Sequence, residues 1–172
     1  SDVCSSDLDV TTTQIAALTN TQVAAMNSTS IQALAETQVA ALSTGQVQAL
    51  SITNLRAMAD TQIAALTTTQ IAALTTAQVQ GLADTNVESL TTTQVAALTA
   101  TQVSQLNTTN VRALADTQMA AMSTTQVRAL TNAQVAALET TDIAELTETM
   151  IAALTNTQIG ALSTTNMAAL AD

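Results

Sequence analysis

The sequence lacks most of the side chains with which enzymes carry out chemistry. It has no Phe, Trp, Tyr, His, Lys or Pro, and Cys4 is its only cysteine. Without aromatic residues, a core has to be built from Leu, Ile, Val, Met and Ala alone. Without His and Lys, only scattered carboxylates remain as acids and bases. We therefore expect a protein that is not an enzyme and that has no catalytic residue, no metal site and no cofactor.

Positive charge is nearly absent as well. Thirteen acidic residues stand against three arginines, which gives a formal net charge of −10. Such a chain has no basic surface for the phosphates of nucleic acids or for anionic lipids. It also has no run of about 18 apolar residues, the length that a membrane-spanning helix needs. We therefore expect no nucleic-acid partner and no insertion into a membrane.

What the chain does have is a repeat of eight residues. The stretch from Thr11 to Leu170 divides into twenty consecutive octads without an insertion, and residues 67–74, TTTQIAAL, are typical. Position 5 of the octad is Ile, Val, Leu or Met in all twenty copies, and position 8 is Leu or Met in all twenty. A fixed short period of this kind predicts a solenoid or array.

Residues 1–10 do not follow the repeat. The first eight, SDVCSSDL, resemble the in-frame translation of a sequencing-library adapter, so we leave them and Cys4 out of the fold argument. Asp9 and Val10 form a short lead-in. We therefore divide the chain into a leader, 1–10, and a repeat domain, 11–172. The repeat domain stops two residues into a further octad, and we expect it to be a slice of a longer array.

The variable positions of the octad favour helix over strand. Positions 2 and 6 vary most and accept polar residues, and on a helix two positions four apart share one face. The opposite face then carries positions 4, 7 and 8, with position 5 at its flank. On a strand, alternation would place the nearly invariant position 8 on the same side as the variable position 6. The pattern therefore predicts one short helix in each octad.

Two further features agree with short helices. Thr, Ser or Asn at position 1 and Gln at position 4 have the spacing of a capping box, as in Thr67 and Gln70. Most acidic residues lie in the first half of their octads, and Arg56, Arg112 and Arg128 all lie at position 6. Anions are favoured near the N-terminus of a helix and cations near its C-terminus.

A single long helix is excluded because eight residues turn the apolar stripe by about 80° per octad. We therefore predict an all-α solenoid of short stacked helices in which each octad packs against its neighbours. Its junctions lack the glycine that commonly ends a helix, and Thr favours strands. A β-solenoid with ladders of stacked Thr is the alternative.

One acidic cluster is dense enough to be considered as a site. It has the spacing of three residues that brings carboxylates together on a helix, so a weak calcium site or an acid–base pair is conceivable. We interpret it instead as a solvated patch that caps helices, because no Asp-rich loop with its glycine accompanies it. Its members are Glu139, Asp142, Glu145 and Glu148.

The unit LTTxQ(I/V)AAL resembles the octapeptide arrays of very large bacterial surface or secreted proteins, which are often described as adhesin-like. The resemblance covers residues 11–172 and implies an extracellular or cell-surface spacer, with neighbouring repeats, surface glycans or host proteins as partners. Some of these arrays are also described as haem-utilisation-like. That property does not carry over, because the repeats supply neither His nor Tyr as an axial ligand. Ice binding through regular Thr arrays is the alternative function.

Overall fold

The computed structural model describes residues 10–170, and these residues form twenty α-helices, one in each octad. None of the described residues is in a strand. The predicted all-α solenoid is therefore confirmed, and the β-solenoid alternative is wrong. The interpretation of residues 1–8 and of Cys4 lies outside the described residues. None of the helices is long and apolar enough to span a membrane.

The helices are all short, since each begins at position 2 of its octad and ends at position 5, 6 or 7. Their bounds are α1 (Thr12–Ala16), α2 (Asn20–Ala24), α3 (Ser28–Gln32), α4 (Glu36–Ala40), α5 (Thr44–Ala49), α6 (Ile52–Ala57), α7 (Asp60–Ala65), α8 (Thr68–Ala73), α9 (Thr76–Gln80), α10 (Asp84–Glu88), α11 (Thr92–Ala97), α12 (Ala100–Gln105), α13 (Thr108–Arg112), α14 (Asp116–Ala120), α15 (Thr124–Ala129), α16 (Asn132–Ala137), α17 (Thr140–Ala144), α18 (Glu148–Ala153), α19 (Asn156–Ile159) and α20 (Thr164–Ala169).

The predicted capping boxes are present at the helix starts. At α11, the backbone N–H of Gln94 donates to Thr91 Oγ1 at 3.2 Å, and the N–H of Thr91 donates to Gln94 Oε1 at 2.7 Å. Where position 1 is alanine, only the second bond forms, as from the Ala59 N–H to Gln62 Oε1 at 3.0 Å. The side chain at position 4 therefore caps the helix start even where position 1 has no hydroxyl group.

The junctions between helices consist of two extended residues. Leu66, at position 8, has φ −59° and ψ 132°, and Thr67, at position 1, has φ −70° and ψ 156°. No described residue has a positive φ, so the glycine that a left-handed helix end requires is not needed here. The chain turns at each junction without reversing.

Three helices complete one coil of the solenoid. Each helix packs on the helix three places away in the chain, and not on its immediate neighbour as the sequence suggested. The twenty helices therefore form three columns, and we name the outer surface of each column a face. The first face consists of α1, α4, α7, α10, α13, α16 and α19; the second of α2, α5, α8, α11, α14, α17 and α20; and the third of α3, α6, α9, α12, α15 and α18.

The interior is built from positions 4, 5 and 8 of the octad. In the octad of α11, Gln94, Val95 and Leu98 are buried, whereas Ala97 at position 7 is only partly buried. The sequence predicted a buried face at positions 4, 7 and 8 with position 5 at its edge. The structure instead buries position 5 and leaves position 7 partly exposed. The reason is that position 8 leaves the helix in an extended conformation, so the helix itself buries positions 4 and 5. Position 3, almost always Thr, is exposed in most octads.

Gly81, just after α9, leaves room for Ile52 on the coil before it. A Cβ on Gly81 would lie 2.6 Å from Ile52 Cγ2. We expect Gly81→Ala to lower the free energy of unfolding by about 1 kcal/mol through this overlap. In an Ile52→Ala background, which removes Ile52 Cγ2, the same change should raise it by about 0.5–1 kcal/mol, because the unfolded chain loses conformational freedom. Urea unfolding of the four proteins in this cycle measures both values, and an effect of the same sign in both backgrounds would contradict the account.

Candidate functional site

The most distinctive chemical feature of the fold is the buried amide at position 4. Gln94 lies at a corner of the solenoid, where its Oε1 caps its own helix. Its Nε2 donates to the Ile63 carbonyl oxygen at 2.8 Å and to the Leu66 carbonyl oxygen at 2.6 Å, on the coil before. One side chain therefore starts α11 and also satisfies the end of α7.

This arrangement recurs with a constant sequence separation. The amide at position 4 donates to carbonyl oxygens at positions 5 and 8 of the octad four places earlier, 31 and 28 residues back in the chain. The last carbonyl groups of a helix have no partner within that helix. Here the next coil supplies the donors, which is why the helices end without a glycine cap. The amides that donate to both positions are those of Gln46, Gln62, Gln70, Gln78, Gln94, Gln102, Gln118, Gln126, Gln134 and Gln158.

Asparagine at position 4 keeps part of this function in three of the four octads that have it. The exception is Asn86, whose side chain makes one hydrogen bond among the described residues, the cap bond that it accepts from the Ala83 N–H at 3.1 Å. The shorter side chains of Asn54, Asn110 and Asn166 reach the position 8 carbonyl alone, at 2.8, 3.3 and 2.7 Å. Three octads depart further, with Ser30 at this position in the first coil and with Asp142 and Met150 later in the chain. A methionine has no N–H group and an ionised carboxylate has no proton to donate, so neither can join its corner to the coil before.

The structure separates the acidic cluster into different environments. Glu139, the N-cap residue of α17, is exposed and accepts a hydrogen bond at 2.7 Å from Arg112 Nη2 of α13. Asp142 is buried behind it and accepts the Glu139 N–H at 2.7 Å. Glu145 and Glu148 are exposed. Among the described residues, no group of three or more acidic, His or Cys side chains could hold a metal ion.

The pKa values of this corner follow from burial and from the Arg112 ion pair. The hydrogen bond and the charge of Glu139 raise the pKa of the Arg112 guanidinium. Burial is the main cause that raises the pKa of the Asp142 carboxyl above its usual value, and the Glu139 and Asp116 charges add to the shift. The Glu139 N–H and the Arg112 charge oppose this shift. Asp142 is thus the acidic residue of the cluster whose ionisation the fold disfavours.

The three faces differ in charge, which the eight-residue repeat alone does not reveal. On the first face, Glu36, Asp60 and Asp84 occupy position 2 of α4, α7 and α10, one above another in successive coils. On the second face, α2, α5, α8 and α11 carry no charged residue. The signal was present in the sequence, because these three acids are spaced by 24 residues, the length of one coil.

An apolar cavity lies at the N-terminal end of the described chain. It has a volume of about 240 Å³ and is lined mainly by apolar side chains. They are those of Val10, Ile15, Leu18, Met26 and Leu34, with the amides of Gln22 and Gln38 at its border.

Each octad forms one helix, and the amides at position 4 join successive coils by hydrogen bonds. These two features define a helical-repeat solenoid. Two segments of the chain, residues 53–84 and 135–172, match the family model described as the ALTTAQ repeat. These six letters occur unchanged at residues 73–78. The two segments make up less than half of the chain, and they support its description as a repeat array. No curated protein and no solved structure matches the chain.

Proposed function

We propose that the chain is a non-enzymatic structural spacer in a large bacterial cell-surface or secreted protein. The observation that carries the proposal is that every interior octad buries its apolar residues at positions 5 and 8 against adjacent coils. Such a chain gains length with each added coil. Apart from the exposed Ile52, the outward positions 2 and 6 are polar or small, which limits aggregation.

Solution scattering tests this proposal through length. Duplicating residues 91–114, which are three octads, should lengthen the particle by about 8–10 Å, the usual distance between packed helix axes. Deleting the same residues should shorten it by the same amount. The cross-sectional radius of gyration should stay constant in both variants. A particle that grows in cross-section, or that loses its helical circular dichroism after the deletion, would overturn the spacer proposal.

Adhesion is a finer version of the same proposal, with surface glycans or host proteins as partners of the exposed positions. Glycan and host-protein arrays probed with the full chain distinguish the two. Selective binding would assign an adhesive role to the chain. If the chain binds to neither array, the repeats serve as a spacer that sets length.

Ice binding is the second candidate, and it is favoured by the part of the second face from α2 to α11, which carries no charged residue. In α8 and α11, this face presents three exposed threonines per octad next to small alanine residues. Regular hydroxyl and methyl groups of this kind are suited to ordered water. If the face binds ice, the protein produces thermal hysteresis at micromolar concentration, and Thr69→Lys with Thr93→Lys abolishes it. Thr101→Lys with Thr125→Lys, on the third face, is the matched control. Ice growth without hysteresis in the parent protein removes this candidate.

A further inference from the structure

The two corners that flank α17 lack the amide hydrogen bonds that join successive coils elsewhere. Asp142 lies between α16 and α17, and Met150 lies between α17 and α18, both at position 4 of their octads. In the described chain, neither side chain donates a hydrogen bond to the coil before it. This turn of the solenoid therefore has two neighbouring unjoined corners, whereas Asn86 leaves a single one.

The third corner of the same turn keeps its hydrogen bonds. Gln158, between α18 and α19, donates from its Nε2 to the Leu130 carbonyl oxygen at 2.6 Å and to the Arg128 carbonyl oxygen at 3.1 Å. One turn earlier, Gln134 occupies the same corner and donates to the coil before it at 2.8 and 2.6 Å. Joined octads lie both before and after this turn, so further coils at either end of the array would leave the difference between its corners in place.

The contacts that remain across the unjoined corners are weaker substitutes. At the first of them, the ion pair between Arg112 Nη2 and Glu139 Oε1 spans the two coils at 2.7 Å, but both side chains are exposed. An exposed ion pair adds little stability, because water and salt screen it. At the second corner, the buried Met150 side chain has no N–H group for the carbonyl oxygens of Met119 and Met122, which lie 31 and 28 residues earlier.

We propose that α17 forms a hinge in the rod, at which the turn opens on the second face and pivots about the corner that Gln158 holds. In the open state, α17 separates from α14, on which it packs, and stays packed on α20. Because a helix of five residues is unstable alone, this remaining contact keeps α17 folded while the coils part. The rod then bends toward the corner between the third face and the first.

Oxidation by hydrogen peroxide measures this opening in the full chain. Met119 and Met122 lie at the unjoined side and are 0% and 3% exposed, so peroxide converts them to sulfoxides only when the coils part. Asp142→Asn with Met150→Gln supplies both missing amides. It should slow the oxidation of Met119 and Met122 by at least about 10-fold, because opening must then break the added hydrogen bonds. Mass spectrometry of the digested protein follows each methionine.

The matched control is Asp142→Asn with Met150→Leu, which removes the same sulfur atom and adds no amide at residue 150. Met122 should oxidise faster in this control than in the variant with glutamine. The parent protein supplies a reference that needs no substitution, since Met58 is 5% exposed and lies at the single corner that Asn86 leaves unjoined. Met58 should oxidise at least about 10-fold more slowly than Met122.

Hydrogen exchange distinguishes a hinge from local unfolding. Backbone amides of α17 should exchange no faster than those of α11, whose corner Gln94 joins. Exchange of α17 at the rate at which Met122 oxidises would replace the hinge by an unfolding helix and overturn the proposal. Equal oxidation rates of Met58 and Met122 in the parent protein, or of Met122 in the glutamine and leucine variants, would overturn it as well.

Discussion

Replacing Gln94 by glutamate is expected to lower the free energy of unfolding by about 3–5 kcal/mol. The carboxylate can still accept the Thr91 N–H, so the helix start keeps its cap. It cannot donate to the Ile63 and Leu66 carbonyl oxygens, which lie at 2.8 and 2.6 Å from Gln94 Nε2. Two acceptors are left without a donor, and a negative charge lies buried against them.

The matched control for this prediction is Gln14→Glu, which makes the same change at the same octad position. Gln14 is exposed and caps only its own helix, so the added charge near a helix N-terminus should change stability by less than about 0.5 kcal/mol. Urea unfolding followed by circular dichroism measures both variants. Equal effects at the two positions would show that the amide acts only as a helix cap and does not join the coils.

Asp142→Asn is expected to raise the free energy of unfolding by about 1–3 kcal/mol at pH 7. In other octads, the amide at position 4 donates to the position 8 carbonyl oxygen 28 residues earlier, which here is that of Leu114. The buried Asp142 carboxylate has no proton to donate to this oxygen. Asn54 and Asn166 make the equivalent bond at 2.8 and 2.7 Å. Asparagine at residue 142 should therefore form the missing hydrogen bond to the Leu114 carbonyl oxygen and also remove a buried charge.

The pH dependence of this stabilisation gives a second test. Burial raises the pKa of Asp142 in the folded protein above the usual value of 3.8. The folded state then binds the proton more tightly than the unfolded state does, so this residue costs stability as pH rises through its folded pKa. The advantage of asparagine should be full above that pKa and shrink as the pH falls toward 3.8, where the protonated acid can itself donate.

The surroundings of Asp142 support this direction. Glu139 and Asp116 favour the protonated form and Arg112 opposes it, while α20, which packs on α17, carries no ionisable residue. Glu36→Gln is the control, because it makes the same acid-to-amide change at an exposed first-turn position. It should lower stability by no more than about 0.5 kcal/mol. A constant advantage of Asp142→Asn across the acid range would refute the pH argument.

The sequence was sufficient to predict the helices and their starts. The variability of positions 2 and 6, the box formed by residues such as Thr67 and Gln70, and the three arginines at position 6 all reflect forces within one octad. Such forces act over three or four residues, and therefore each octad displays them completely. The structure confirms the boxes and places most of the acids in first turns and the arginines in last turns.

The packing of one helix on another was less predictable, because it depends on residues that are far apart in the chain. Glutamine at position 4 was correctly predicted to cap its helix, but bonds such as those from Gln94 to Ile63 and Leu66 involve a separation in sequence that no single octad displays. The acids at 36, 60 and 84 carried the missing information through their 24-residue spacing. The junctions lack glycine, which was an argument against helices in the sequence. The same amide bonds explain this, because they satisfy the last carbonyl groups of each helix without a glycine cap.

The coil of three octads has a consequence for how such a chain can change over generations. Octads with nearly identical sequences invite unequal recombination, which adds or removes whole copies. A gain or loss of three copies leaves every later residue on its original face. A gain of one copy before Glu36 would move the column of acids at 36, 60 and 84 from the first face to the second, although no amino acid had been substituted. The copy number of the repeat therefore determines the pattern of charge on the surface as well as the length of the rod.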